Sequence, residues 1–307
     1  MEPPFHSSAG AHAPRRSLAA LWVALALAAT TPAEGQTNFY WERQGQSYNG
    51  NWDTSTANWN TNSGGQTGKE KFVSGGNAIF SAGTSATGAY SIFVSGTQEV
   101  SDIVVEEGNP IFNGGTVRFV DSTPTVTVNA GAMLTWGLTN LSSVTNSVTL
   151  AGSGIVNLAV DGAFNGTLNL SGGTLRLTGS SLSLGTLNIT GNSTLDFAGS
   201  SSTLNLNTLN ISAGVTLTVL NWAAASDYFY TSHWTGATPN TSGSAPMNQV
   251  VFNGYSGAAT SWDAYDHRIR PNVPEPAVYG QLMVGLGGAL LGWRRWRRSK
   301  RKAAART

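Results

Sequence analysis

Val126-Thr127-Val128-Asn129-Ala130-Gly131-Ala132-Met133-Leu134 lies without gaps over Val148-Thr149-Leu150-Ala151-Gly152-Ser153-Gly154-Ile155-Val156, 22 residues further along the chain. The same step carries Leu187-Asn188-Ile189-Thr190-Gly191 onto Leu209-Asn210-Ile211-Ser212-Ala213 and sets Leu195 on Leu217, while a step of 19 links Leu168-Asn169-Leu170 to Leu187-Asn188-Ile189. Fixed periods of about 20 to 50 residues mark stacked repeats. Inside a unit such as Gly173-Thr174-Leu175-Arg176-Leu177 apolar residues alternate with polar ones, the signature of a strand with one buried face. Gly and Asn punctuate these strands, where tight corners need positive φ.

Strands of this length in units of this size predict an all-β chain, a right-handed parallel β-helix (β-solenoid) whose coils stack about 4.8 Å apart and bury a shared column of Leu, Ile and Val. An antiparallel β-sandwich shows similar alternation and is the alternative; the gapless repeat favours stacking. Asn169, Asn188 and Asn210 fall at one repeat position, flanked by inward Leu and Ile, so they are expected to form an outward row. Mutual amide hydrogen bonding is the favoured reading of that row, a ligand-binding ladder the other.

Composition agrees with strands. Of the 307 residues only 11% are charged, against roughly 25% in ordinary soluble domains, and 37 are Gly. Eight of the 17 Lys and Arg fall between Arg294 and Arg306, whereas Gln36 to Arg270 holds seven basic and thirteen acidic residues. That acidic middle argues against nucleic acid as a partner. With no Cys, disulfide and thiol chemistry are excluded.

The two ends read as addresses. Arg15 and Arg16 precede the apolar run Leu18 to Ala29, the length of a signal-peptide core, and Ala33 and Gly35 satisfy the small-x-small rule for signal peptidase cleavage between Gly35 and Gln36. The residues around the arginines match a twin-arginine signal poorly, so Sec-type export is expected. At the other end Val273-Pro274-Glu275-Pro276 precedes a mostly apolar run from Ala277 to Trp293, then Arg294, Arg295, Arg297 and Arg298. The run is about 25 Å long as a helix, just short of the roughly 30 Å hydrocarbon core, and the basic tail would stay cytoplasmic. Both ends therefore demand the same topology: an N-terminal signal helix, a C-terminal transmembrane helix, and everything between them outside the inner membrane.

This C-terminal arrangement resembles the PEP-CTERM protein-sorting domain over about Val273 to Arg301. The resemblance implies that Pro274, Glu275 and Pro276 are the motif recognised by an exosortase, that Arg294, Arg295, Arg297 and Arg298 are the cytoplasmic stop, and that cleavage delivers the chain to the cell surface or an exopolysaccharide matrix. From about Ala78 to Leu220 the chain resembles the autotransporter-associated β-strand repeat, with Gly50-Asn51-Trp52 and Asn58-Trp59 similar to the opening that precedes such repeats. That resemblance implies a passenger-type scaffold. The expected order is a signal peptide (1–35), a Trp-rich cap (36–77), repeats (78–220), a second cap and linker (221–272), the sorting signal (273–301) and a basic tail (302–307).

Chemistry is sparse. His233 and His267 have no second ligand at metal spacing, and His267 is placed in a solvated tail. Asp161 and Asp196 stand far apart in sequence, and Glu106 and Glu107 would face opposite sides of a strand, so the paired carboxylates of glycosidases are missing. No cofactor or metal is expected. Trp41, Trp52 and Trp59 could stack sugar rings, although capping the open end of a solenoid is the favoured role. The leading expectation is an exported, non-enzymatic structural or matrix protein, with exosortase and signal peptidase as processing partners and exopolysaccharide as a possible ligand. A surface adhesin or polysaccharide binder is the alternative, and a polysaccharide lyase or hydrolase a distant third.

Overall fold

A computed structural model describes residues 36–272, except 42–47, 65–67, 81–87, 139–140, 144, 160, 199–200 and 256–257. The proposed signal peptide, the Pro274-Glu275-Pro276 motif, the apolar run to Trp293 and the arginines beyond it lie outside the described residues. Among the described residues no helix is long and apolar enough to cross a membrane.

The chain alternates between two ten-stranded sheets and returns to each beside its own previous strand. Neighbouring strands in both sheets pair in parallel, apart from Asn38–Trp41 against Trp59–Asn60. This is a parallel solenoid. The antiparallel sandwich is excluded, because strand neighbours in both sheets pair in parallel and come from successive coils rather than from hairpins.

One coil displays the logic. Leu182 and Leu184 are buried, and so are Leu187 and Ile189. A flat strand cannot turn both Leu184 and Leu187 inward, since they are three residues apart; the chain therefore turns a corner at Gly185, and Ser181–Ile189 forms two legs of the coil. Ser193–Asp196 is the third. Leu184 stacks on Leu206 and Leu187 on Leu209 in the next coil. The corner needs glycine, because a Cβ at Gly185 would sit 2.1 Å from the Asn165 carbonyl oxygen of the preceding coil. Each fully buried aliphatic side chain in the column contributes roughly 1.5 to 3 kcal/mol.

Register departs from the sequence alignment in two places. Leu195 faces Val219 rather than Leu217, which faces Ser193, and Val126 faces Leu150 rather than Val148. The corner between Ile211 and Leu217 is two residues longer than that between Ile189 and Ser193, while the corner after Gly152 is two residues shorter than that after Val128. A slip of two preserves which side chains point inward, so a hydrophobic pattern cannot register it.

The sheets also run past both expected repeat boundaries. Asn38–Trp41 already pairs with Asn77–Phe80, and Tyr228–Trp234 and Val250–Phe252 continue the stack beyond Leu220. An antiparallel hairpin, Ala259–Trp262 with Ile269–Asn272, follows the last coil and buries Trp262 and Ile269.

Candidate functional site

The outward asparagine row is closed upon itself. Asn188 Nδ2 donates to Asn169 Oδ1 at 2.8 Å, and Asn210 Nδ2 donates to Asn188 Oδ1 at 2.7 Å. Asn169 Nδ2 reaches Ser147 Oγ at 3.2 Å and Thr149 Oγ1 at 3.4 Å, and the Thr235 hydroxyl donates to Asn210 Oδ1. The amides thus couple neighbouring coils, and their best donors and acceptors are already engaged with one another.

The three N-terminal tryptophans are interior. Trp41, Trp52 and Trp59 are each 0% exposed. Trp52 packs edge-on against Trp59, Phe72, Phe80 and Phe112 with ring centroids 5.3 to 5.7 Å apart. No ring face is open to a sugar, so glycan stacking on these residues is corrected to packing at the first coils. Pairing Asn38–Trp41 with Trp59–Asn60 turns these rings into the column, where aromatic area is large and the alternative is an open apolar end. At the other end Trp222, Trp234 and Trp262 are buried as well.

Several acidic side chains clamp one coil to the next. Asp161 Oδ1 accepts the Ser181 N–H at 2.6 Å, Asp102 Oδ1 that of Thr125 at 2.7 Å, and Asp227 Oδ1 that of Ser202 at 3.1 Å. Asp196 is different: it is buried, and Oδ2 accepts from Arg176 Nε at 2.8 Å while Oδ1 accepts from Asn221 Nδ2 at 2.7 Å and the Ala198 N–H at 2.8 Å. Burial pushes its carboxyl up, but the hydrogen bonds from Asn221, Ala198 and Arg176, with the guanidinium charge, outweigh that and hold it below its ordinary value. The pair faces across adjacent strands, Arg176 opposite Asp196. Sequence reading missed it, although laying Thr174-Leu175-Arg176 over Thr194-Leu195-Asp196 at a step of 20 would have found it.

Two further placements are corrected. Glu106 and Glu107 do not flank a strand; they occupy the corner between Ile103–Val105 and Asn109–Phe119 and line one surface depression of about 420 Å³. His267 is exposed, as expected of a solvated segment, but the segment is not a tail. The residue sits at positive φ in the hairpin turn, with its N–H donating to the Asp263 carbonyl and its carbonyl accepting the Thr231 N–H. Among the described residues no three His, Asp, Glu or Cys side chains gather closely enough to hold a metal ion.

The described residues therefore define a class: a parallel β-solenoid whose asparagine row and several of whose acids join coil to coil. The chain is similar to an autotransporter adhesin, BmaC of Brucella suis biovar 1 (strain 1330), at 28% identity over 169 residues, which is 54% of this chain and 5% of that adhesin. No family model matches the chain. No solved structure matches it.

Proposed function

We propose that the chain is a surface-exposed, adhesin-type β-solenoid without enzymatic activity, exported through the inner membrane and presented outside the cell. The observation that carries this reading is the likeness of more than half the chain to part of an autotransporter adhesin, in a protein built of stacked parallel coils. In the same reading signal peptidase cleaves before Gln36, and an exosortase recognises Pro274, Glu275 and Pro276, with the apolar run Ala277 to Trp293 holding the chain in the membrane and Arg294, Arg295, Arg297 and Arg298 stopping it there until processing. Exopolysaccharide is the class of partner that such delivery would bring within reach.

A matrix scaffold with no receptor is the second reading, favoured by the amide row whose members bond to one another. Cells that make the chain natively decide between the two. The adhesin reading expects antibody against Gln36–Asn272 to label intact cells and deletion of the gene to lower adherence to a host or polysaccharide surface, with the wild-type gene restoring it. Normal adherence without the chain favours the scaffold, and labelling only after lysis contradicts both. Intact-mass measurement of the surface pool tests sorting: the expected polypeptide begins at Gln36 and ends near the Pro-Glu-Pro motif, whereas one retaining Trp293 and the arginines contradicts cleavage.

A further inference from the structure

The hairpin that follows the last coil carries a polar cleft of about 190 Å³ lined by Asn240, Ser242, Ser261, Asp263, Arg270 and Asn272, among others. Arg270 Nη2 donates to Asp263 Oδ2 at 3.1 Å across the hairpin, and both side chains remain partly open to solvent. Asp263 Oδ1 accepts the N–H groups of Tyr265 at 2.8 Å and Asp266 at 3.4 Å. Asn240 Oδ1 takes the Ala264 N–H at 3.0 Å. These bonds fix the loop 263–266 against the cleft wall. From that fixed loop Tyr265 projects with 95% of its surface exposed. Phe93, another exposed ring, covers the backbone of Gly114, where an added Cβ would meet it at 2.8 Å. Tyr265 is almost entirely in solvent, so the fold draws little from its ring.

We propose that this cleft and Tyr265 form a binding site for a neutral hexose unit of a polysaccharide; the inference rests on the adhesin-type reading and gives it a site. A pyranose ring has an apolar C–H face that stacks on an aromatic ring and hydroxyl edges that need donors and acceptors together. Tyr265, exposed and two residues along the chain from the cleft-lining Asp263, is the ring available as the platform. Arg270 has donors left after its one bond to Asp263, the carboxylate can accept further hydroxyl protons, and Asn240 and Asn272 add amides. The Tyr265 and Asp266 N–H groups on Oδ1 hold the Asp263 carboxyl below its ordinary value. Asp263 is the one anion and Arg270 the one cation of the cleft lining, so the lining has no net charge to favour uronic-acid or sulfated polymers over neutral ones. Its volume is below the roughly 300 to 1,000 Å³ of sites for drug-sized ligands and suits a single ring.

Calorimetric titration of the full chain with cellohexaose, mannohexaose and an oligogalacturonate tests the site. At least one of the two neutral sugars is expected to bind, with oligogalacturonate at least tenfold weaker. Tyr265→Ala is expected to weaken the neutral sugar at least tenfold with an unchanged melting temperature, and Arg270→Gln to weaken it comparably. Binding of neither neutral sugar, or binding that both substitutions leave unchanged, overturns the proposal. If the chain mediates adherence yet binds neither sugar, the cleft assignment fails and the adhesin reading stands; if the sugar binds through Tyr265 while adherence is normal without the chain, the reverse holds.

Discussion

Asn210 donates its side-chain amide to Asn188 Oδ1 at 2.7 Å, across adjacent coils and 22 residues of sequence. Asn188 in turn donates to Asn169, so the middle amide serves as donor on one side and acceptor on the other. Replacing it strands a partner on each side.

Asn188→Ala is therefore expected to destabilise the chain by about 1 to 3 kcal/mol, more than the loss of one average hydrogen bond, because two half-buried groups lose their partner at once. Chemical denaturation of the variant beside wild type measures it. A ligand-binding role for the row would leave stability nearly unchanged.

Asp196 links stability to pH. Its carboxyl is held below its ordinary value in the folded chain, despite burial, by Asn221, the Ala198 N–H and Arg176. A depressed folded value stabilises the fold at pH above the unfolded carboxylate value of about 3.9, and that contribution is lost as pH falls through the folded value. Asp196→Asn is expected to lower the melting temperature at pH 7, with the gap to wild type closing as pH drops below about 4. A gap that persists undiminished into strong acid would contradict the assignment.

The corner at Gly185 has no room for a side chain. Gly185→Ala brings a methyl group to 2.1 Å from the Asn165 carbonyl oxygen, a backbone atom that moves only if the coils separate, and overpacking of this kind costs typically 1 to 3 kcal/mol. Gly68→Ala is the matched control, since an added Cβ there meets nothing within 4 Å. Thermal melts should show the first variant destabilised and the second unchanged.

Much of this architecture is legible in the sequence alone. The Leu187/Leu209 and Asn188/Asn210 pairings follow from the 22-residue step, because strands of constant length stack at constant spacing. Leu195 escapes it: the longer corner at Ser212–Thr216 shifts the third leg by two residues, and both registers bury aliphatic side chains. Trp52 was readable as a cap and misleading as a sugar platform, since an indole's suitability for stacking says nothing about which neighbours cover it. Tyr265 carried no signal at all, because its importance lies in what does not pack on it. The Arg176–Asp196 pair was hidden by its step of 20, which differs from the dominant period.

Trp52→Ala is expected to cost about 3 to 5 kcal/mol, the range for removing a buried indole, and to loosen the chain from one end. Hydrogen exchange should speed up first in Asn38–Trp41, Gly50–Trp52 and Asn77–Phe80 while Ser181–Ile189 keeps its protection, because each coil contacts mainly its neighbours. Uniform loss of protection would mean the first coils do not act as a terminal unit.

Parallel stacking itself is most directly tested by cysteine pairs, since the chain has no native cysteine. Thr186 faces Thr208, and Thr194 faces Thr218, on neighbouring strands of two different legs, each pair about 5 Å apart. A short bifunctional thiol reagent should join both pairs within one chain and leave the exchanged pair, Thr186 with Thr218, unjoined. Linking of the exchanged pair without the other two would contradict the solenoid.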